Sequence, residues 1–579
     1  MSCSRRCAAV WVGLAAAALW ISGCSRKVES EGIVRLAVPP AENLSGKPEL
    51  EWVGYGVGQV VASCLMGAGK VHPISVRDAR DAAAAGAAQV LLIQYTESSG
   101  GLRFHAELRK LRTQKTDRTF DLVAPASDAA LRAGQEIARR ISTTARSFGT
   151  RNSAALQAYA EGFQEANAEK LREGLERAVA VDPNFGEAWV ALVETLAESG
   201  QSDAARAAVA KARTHASAIH AIERARLDWL AASLDGDAAA QAAAIENLAK
   251  LLPHDPVTLA AAARAEQAAR HYASAAGWFR KAAAAEPQNP QWWNLALYAS
   301  AFAGDWAGVK AAFEAYRRAA PDNPNAFDSL GEAAFYLGRF SEAERAFLDG
   351  HRLNPNFLNG LELYKAALAR WLSGDLPGAK NHFEKFIEQR TKSNDPMAGY
   401  LKARWDYITG QPAEAVRSLQ DWIQQAPEGD ARALGLAQLA VWNAAGGDWA
   451  AAARMARQAF AQARTPVARS VAASAVYLAQ PEAVKTPPET WKAYAWLLRK
   501  RFGEAVPLLE RIASRGAPTE TGNAAALLAW AYLESGKRQE AKTAAEHFPI
   551  PGGSAEDLFE FLIYPRILEI RRELGLTGR

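Results

Sequence analysis

Cysteine is scarce, and what there is lies almost wholly at the start. Of four cysteines in 579 residues, Cys3, Cys7 and Cys24 fall within the first 24 positions, and only Cys64 lies beyond them. A single thiol cannot form an internal disulfide, so the fold must hold without one even in an oxidising compartment. Cys64, in the apolar stretch "VVASCLM", reads as a small core residue. Charge of one sign is also missing. Lys and Arg number 67 against 63 Asp and Glu, and losing Arg5 and Arg6 with the first 23 residues would leave an excess of +2. That balance gives no electrostatic footprint for nucleic acid.

Signatures of chemistry are absent as well. The nine histidines are scattered, His215 and His220 are five apart, and there is no HExxH and no CxxC pair. No GxSxG elbow occurs. "GYGVGQ" (54–59) lacks the GxGxxG spacing and follows a loop, and "GAGK" (67–70) lacks the earlier glycine and the Ser or Thr of a phosphate loop. The acids Glu342 and Glu344 read as solvated helix surface. The sequence therefore offers no reaction, and no enzyme activity, cofactor or metal is expected.

One apolar run stands at the start. Ala8 to Gly23 is 16 residues, preceded by Arg5 and Arg6, and is shorter than the ~20 residues a helix needs to span a bilayer. A positive start, an apolar middle and small residues at its end describe a secretory signal. Ile21-Ser22-Gly23-Cys24 resembles the lipobox of bacterial lipoproteins, in which the cut falls before the cysteine and lipid is attached to it. The resemblance implies residues 1–23 as signal peptide, 24–31 as linker and Cys24 as a lipid anchor. Ser25 in the second mature position differs from the inner-membrane retention signal of enteric bacteria, which points to an outer membrane and the periplasm.

What the chain has in quantity is a repeat. Pro253, Pro287, Pro321 and Pro355 are spaced by 34, as are Phe279, Phe313 and Phe347, and Leu259, Trp293 and Phe327. The best-formed unit, "NAFDSLGEAAFYLGRFSEAERAFLDGHRLNPN" (325–356), resembles the tetratricopeptide repeat at Phe327, Leu330, Gly331, Ala334, Gly338, Ala343, Phe347 and Pro355. Phe327, Leu330 and Ala334 share one helix face, and Gly331 and Ala343 are small where two helices would approach. Gly338 suits the end of the first helix, and Pro355 cannot continue the second. Asn or Asp before Pro then opens the next helix, as in "PDNPNAF". The register slips by two near residue 361, and residues 465–490 are irregular around Pro481, Pro487 and Pro488. The expectation is a mostly α fold, a solenoid of roughly ten helix-turn-helix units over 150–550. Residues 551–579 would form a capping helix, its start capped by Ser554 and Asp557 and its course kinked or divided at Pro565.

Residues 32–146 read differently. "IVRLAV", "VLLIQY", "LRFHAEL" and "RTFDLV" suit strands, and helical stretches fall near 50–66, 77–88 and 128–146, together a small α/β domain. "AENLSGKPELEW" (41–52), "GAAQVLLIQYTESSGGLRFHAELRKLRT" and "EIARRI" resemble the amino-terminal module, similar to the N-domain of TolB, that precedes such repeats in bacterial regulators. "GYGVGQVV" departs from that module's acidic, polar first helix.

In arrays of the repeat family the first helices of successive units line a concave face. Mapping those positions onto this chain gives Asn294, Tyr298 and Phe302, then Asp328, Glu332, Phe335 and Tyr336, then Tyr364 and Trp371, a surface suited to an extended or helical peptide. The Lys and Asn pair that clamps a peptide carboxylate in chaperone-binding repeats is absent from these units. The resemblance implies an adaptor or scaffold with a protein or peptide partner; the alternative is a regulator that docks on an envelope enzyme through its front domain.

Overall fold

The computed structural model describes residues 33–164, 167–515, 518–546, 548–549, 551 and 557–575. The proposed signal, the linker, Cys24 and Ser554 lie outside these residues.

The front domain is a six-stranded sheet backed by two helices. Its strands are β1 (Val34–Val38), β2 (Glu42–Asn43), β3 (Val71–Ser75), β4 (Gln89–Ser98), β5 (Gly101–Lys110) and β6 (Thr116–Ala124). The order is β3-β1-β4-β5-β6, with β2 paired to β4. β1 runs parallel to β3 and β4, while β4, β5 and β6 form an antiparallel meander. The four apolar runs fall in β1, β4, β5 and β6. β3 went unread because Pro73 interrupts it; at the sheet edge its missing donor costs no ladder bond. The alanine-rich stretch near 77–88 is not the expected helix but a short 3-10 turn, Ala79–Ala82, ended by Gly86 in the left-handed region.

Glycines let the domain close. The helix Glu51–Leu65 passes so near the loop before it that a Cβ on Gly54 would lie 2.2 Å from the Ala41 carbonyl oxygen. A Cβ on Gly134, in the helix Ala129–Ile141, would lie 2.6 Å from Val60. "GYGVGQ" is thus a helix surface packed on chain, not a ligand loop. The core formed here runs on without a break into the first repeats, from Leu36 to Ala231. Cys64 is fully buried in it, and burial pushes its thiol up to about 12.

From Ser153 to Gln462 the chain builds nine consecutive helix hairpins, a tetratricopeptide-like α-solenoid. The 34-residue period has visible causes. Asp255, Asn289 and Asn323 each accept the amide two residues on, which satisfies one orphan donor of the next helix start. Gly304 and Gly338 take the left-handed turn between the two helices of their units. Gly331 lies under Phe347, so that an added Cβ would be 2.5 Å from the ring. The slip near residue 361 is absorbed by Leu358, Asn359 and Gly360, three successive left-handed residues. After Gln462 the pairing lapses: Pro466–Ala479 is a lone helix before the prolines, and two more hairpins follow, ending at Ala544.

The solenoid bends back on itself. Arg270 Nη1 donates to the carbonyl of Ala513, 243 residues away, at 2.9 Å. The last helix, Glu560–Glu573, runs undivided through Pro565. It packs on Pro518–Glu534 as a cover would, and also on Ala398–Ile408 in the middle of the array. Among the described residues no helix is long and apolar enough to cross a membrane.

Candidate functional site: a concave face and the segment lying in it

The first helices of three consecutive units, Pro290–Phe302, Asn325–Tyr336 and Leu361–Leu372, carry all nine residues expected to line a groove. They hold a buried ionic cluster. Lys365 Nζ lies 2.7 Å from Asp328 Oδ1 and 2.6 Å from Glu332 Oε1, and the Tyr298 hydroxyl donates to Glu332 Oε2 at 2.5 Å. Burial lifts the Asp328 carboxyl to about 6 even with Lys365 beside it, and holds the Tyr298 phenol well above its usual value. Glu362, with no solvent exposure, has both carboxylate oxygens buried without a hydrogen-bond partner, and burial pushes it up to about 7. Asn294 Oδ1 is likewise buried and unpartnered. Neither Lys365 nor Glu362 was anticipated from the sequence.

The rings pack on one another rather than standing open. Phe302 meets Tyr298, Tyr272 and Tyr336 at centroid distances of 6.2, 5.6 and 5.3 Å. Tyr364 packs on Phe383 and Phe386, and both Tyr364 and Trp371 pack against Trp405. These two belong to the core between helices. Glu344 is not solvated surface either: it is buried, with Arg370 Nη1 at 3.0 Å and His382 Nε2 at 2.9 Å.

Phe335 is fully buried for a different reason, since the carboxyl-terminal segment covers it. Phe548 lies edge-on to Phe335 and Phe340 and its amide donates to the Tyr336 carbonyl at 3.0 Å. Tyr564 reaches Phe335 from the last helix. Between these two contacts, the main chain of Asp557 and Leu558 is held by side chains one repeat length apart. Arg404 Nη2 donates to the Asp557 carbonyl at 2.7 Å, and Gln438 Nε2 to the Leu558 carbonyl at 3.0 Å. Asn523 donates to the Asp557 carboxylate, which also accepts the Phe559 amide, and Phe559 packs on Tyr494. Arg404 and Gln438 are buried polar groups in successive first helices, and their 34-residue spacing was the one signal that could have found them.

A second cluster joins the front domain to the array. Arg146 donates to both Glu223 oxygens at 2.6 and 2.8 Å and to His220 Nδ1 at 2.9 Å, while Ser63 donates to Glu187. Glu187, His220 and Glu223 have ligand atoms within 4.8 Å of one another, as a metal site would. The guanidinium already supplies the positive charge there, so the cluster reads as an internal ion pair. Burial, then Glu223, pushes Glu187 up to about 7. It borders a cavity of about 230 Å³ that Tyr159, Glu194 and Arg226 also line.

No family model matches the sequence, and no curated protein does. Solved structures match it in part. The crystal structure of MamA protein is 16% identical, with 30% of this chain and 93% of that one covered at a TM-score of 0.25. Human IFIT1, solved as a dimer with PPP-AAAA, is 14% identical, with 68% and 89% covered at 0.24. The APC/C hetero-tetramer Cut9-Hcn1 is 15% identical, with 73% and 77% covered at 0.25. The assignment of the fold stands on the hairpins, caps and period described above.

Proposed function

We propose that this chain is a lipid-anchored protein of the bacterial cell envelope that holds another protein along the concave face of its solenoid. One observation carries the reading: Arg404 and Gln438, a repeat length apart, direct buried donors at the main-chain carbonyls of a segment lying across their helices. Donors aimed at main chain, flanked by aromatic pockets, are the equipment for holding a peptide or helix. The anchor is Cys24, exposed by removal of residues 1–23, and the attached chains face the protein to the periplasm, at the outer membrane. One acyl chain binds only marginally whereas several anchor stably. The front domain, similar to the TolB N-domain, serves as the rigid base of the array rather than a separate docking module, because its core is continuous with the first repeats.

The test is crosslinked affinity capture from intact envelopes, comparing the native chain with Arg404→Ala plus Gln438→Ala after circular dichroism confirms the helix content. A partner captured by the native chain and lost with the variant supports the reading. A partner retained by the variant moves the binding surface elsewhere. In the same cells Cys24→Ser should shift the protein from the membrane to the soluble fraction; unchanged membrane attachment would remove the anchor.

A further inference from the structure

The concave face is already filled, and by this chain. We propose that residues 557–575 are a displaceable occupant, which yields its place to a partner helix of the same pattern. This rests on reading the groove as a binding surface, and it names the partner's chemistry.

The occupant is held where a foreign helix could be held. Its buried side chains Phe559, Ile563, Tyr564, Ile567 and Ile570 form one helical stripe. Arg404 and Gln438 each hold a main-chain carbonyl of the occupant, a group that every peptide carries, so among these contacts the stripe and the Asp557 carboxylate that Asn523 holds are what select a sequence. Arg571 lies 4.8 Å from the Phe548 ring centroid and 6.0 Å from that of Phe340, which adds a basic flank to the pattern. The partner segment is therefore an amphipathic helix with an aromatic residue at its start, apolar residues four, five, eight and eleven positions on, and arginine beside them.

The occupant is also poorly made to stand alone. Its helix has 14 residues with Pro565 in the interior. Isolated helices of that length are marginal in water, and an interior proline removes a hydrogen bond and crowds the preceding turn. Its order depends on being docked, so undocking and unfolding are one event and a better helix competes with an advantage.

The experiment uses the full chain carrying Ile563→Ala and Tyr564→Ala, which loosen the occupant and leave the surface beneath it, Arg404 and Gln438 included, untouched. A fluorescein-labelled peptide of residues 557–575 should bind this variant at least tenfold tighter than the unmodified chain, by anisotropy. The same peptide with Ile567→Asp and Ile570→Asp should not bind. Equal affinity for variant and unmodified chain overturns the proposal. Hydrogen exchange on the unmodified chain provides a test independent of any variant's folding. Amides of 560–573 should exchange at least tenfold faster than those of 398–408, and equal protection overturns the proposal. If it fails while envelope capture is still lost with Arg404→Ala plus Gln438→Ala, the groove binds a partner of another pattern. If capture ignores that variant, the groove reading itself has failed.

Discussion

Lys365 is the residue on which the first helices of two units depend. Its ammonium is almost wholly enclosed between Asp328 and Glu332, so that removing it leaves two buried carboxylates facing each other without a counter-ion. Lys365→Met should destabilise the chain by about 3–5 kcal/mol, the usual cost of breaking a buried pair from one side, read by urea denaturation at neutral pH. Glu362 behaves in the opposite sense. Its folded-state value of about 7 lies above the ordinary 4.5, so the folded chain keeps a proton that the unfolded chain gives up. That contribution to stability is full below about pH 4.5 and falls as pH rises to about 7. Glu362→Gln should therefore stabilise the chain at pH 8 by about 1–3 kcal/mol, with a smaller gain at pH 5. A gain that does not grow with pH would show that Glu362 is ionised in the fold. Asp328 and Glu332 were legible as positions in a repeat. The lysine that makes them a cluster was not, because it enters from the next unit across the slipped register.

At the scale of the hairpin, the sequence was most readable where one residue type answers one geometric demand. Gly331 is such a place: the Phe347 ring occupies the space a side chain would need. Gly331→Ala should cost about 1–3 kcal/mol through overpacking, measured as a shift in denaturation midpoint with unchanged slope. Pro253, Pro287, Pro321 and Pro355 and the Asx residues Asp255, Asn289 and Asn323 were legible for the same reason. Two elements were not. β3 is masked by Pro73, and the turn after it is masked by alanines that read as a helix where the chain makes only the 3-10 turn Ala79–Ala82. The cover over the groove is a different matter: no local pattern tells that residues more than two hundred positions later will lie on Phe335.

The bend of the whole array explains an oddity in one unit. Where two successive units have Gly304 and Gly338 in the left-handed turn, the preceding one has Arg270, at φ 64°. A non-glycine residue there costs about 1 kcal/mol, yet its guanidinium reaches Ala513 across the bend. With the ties from Arg404, Gln438 and Phe548, it makes the far part of the array contact the near part. An open solenoid is a sum of neighbouring units and can unfold piecewise; a closed one shares its stability across the bend. Arg270→Gly should therefore relax its own turn while loosening closure. Small-angle scattering should show a larger radius of gyration, and hydrogen exchange should show faster opening of Phe502–Ala513 with no loss of protection in Pro256–Ala268. If the radius and the exchange of the distant helix stay as in the native chain, the closure is carried by the carboxyl-terminal segment alone, and Arg270 is a local strain without a structural return.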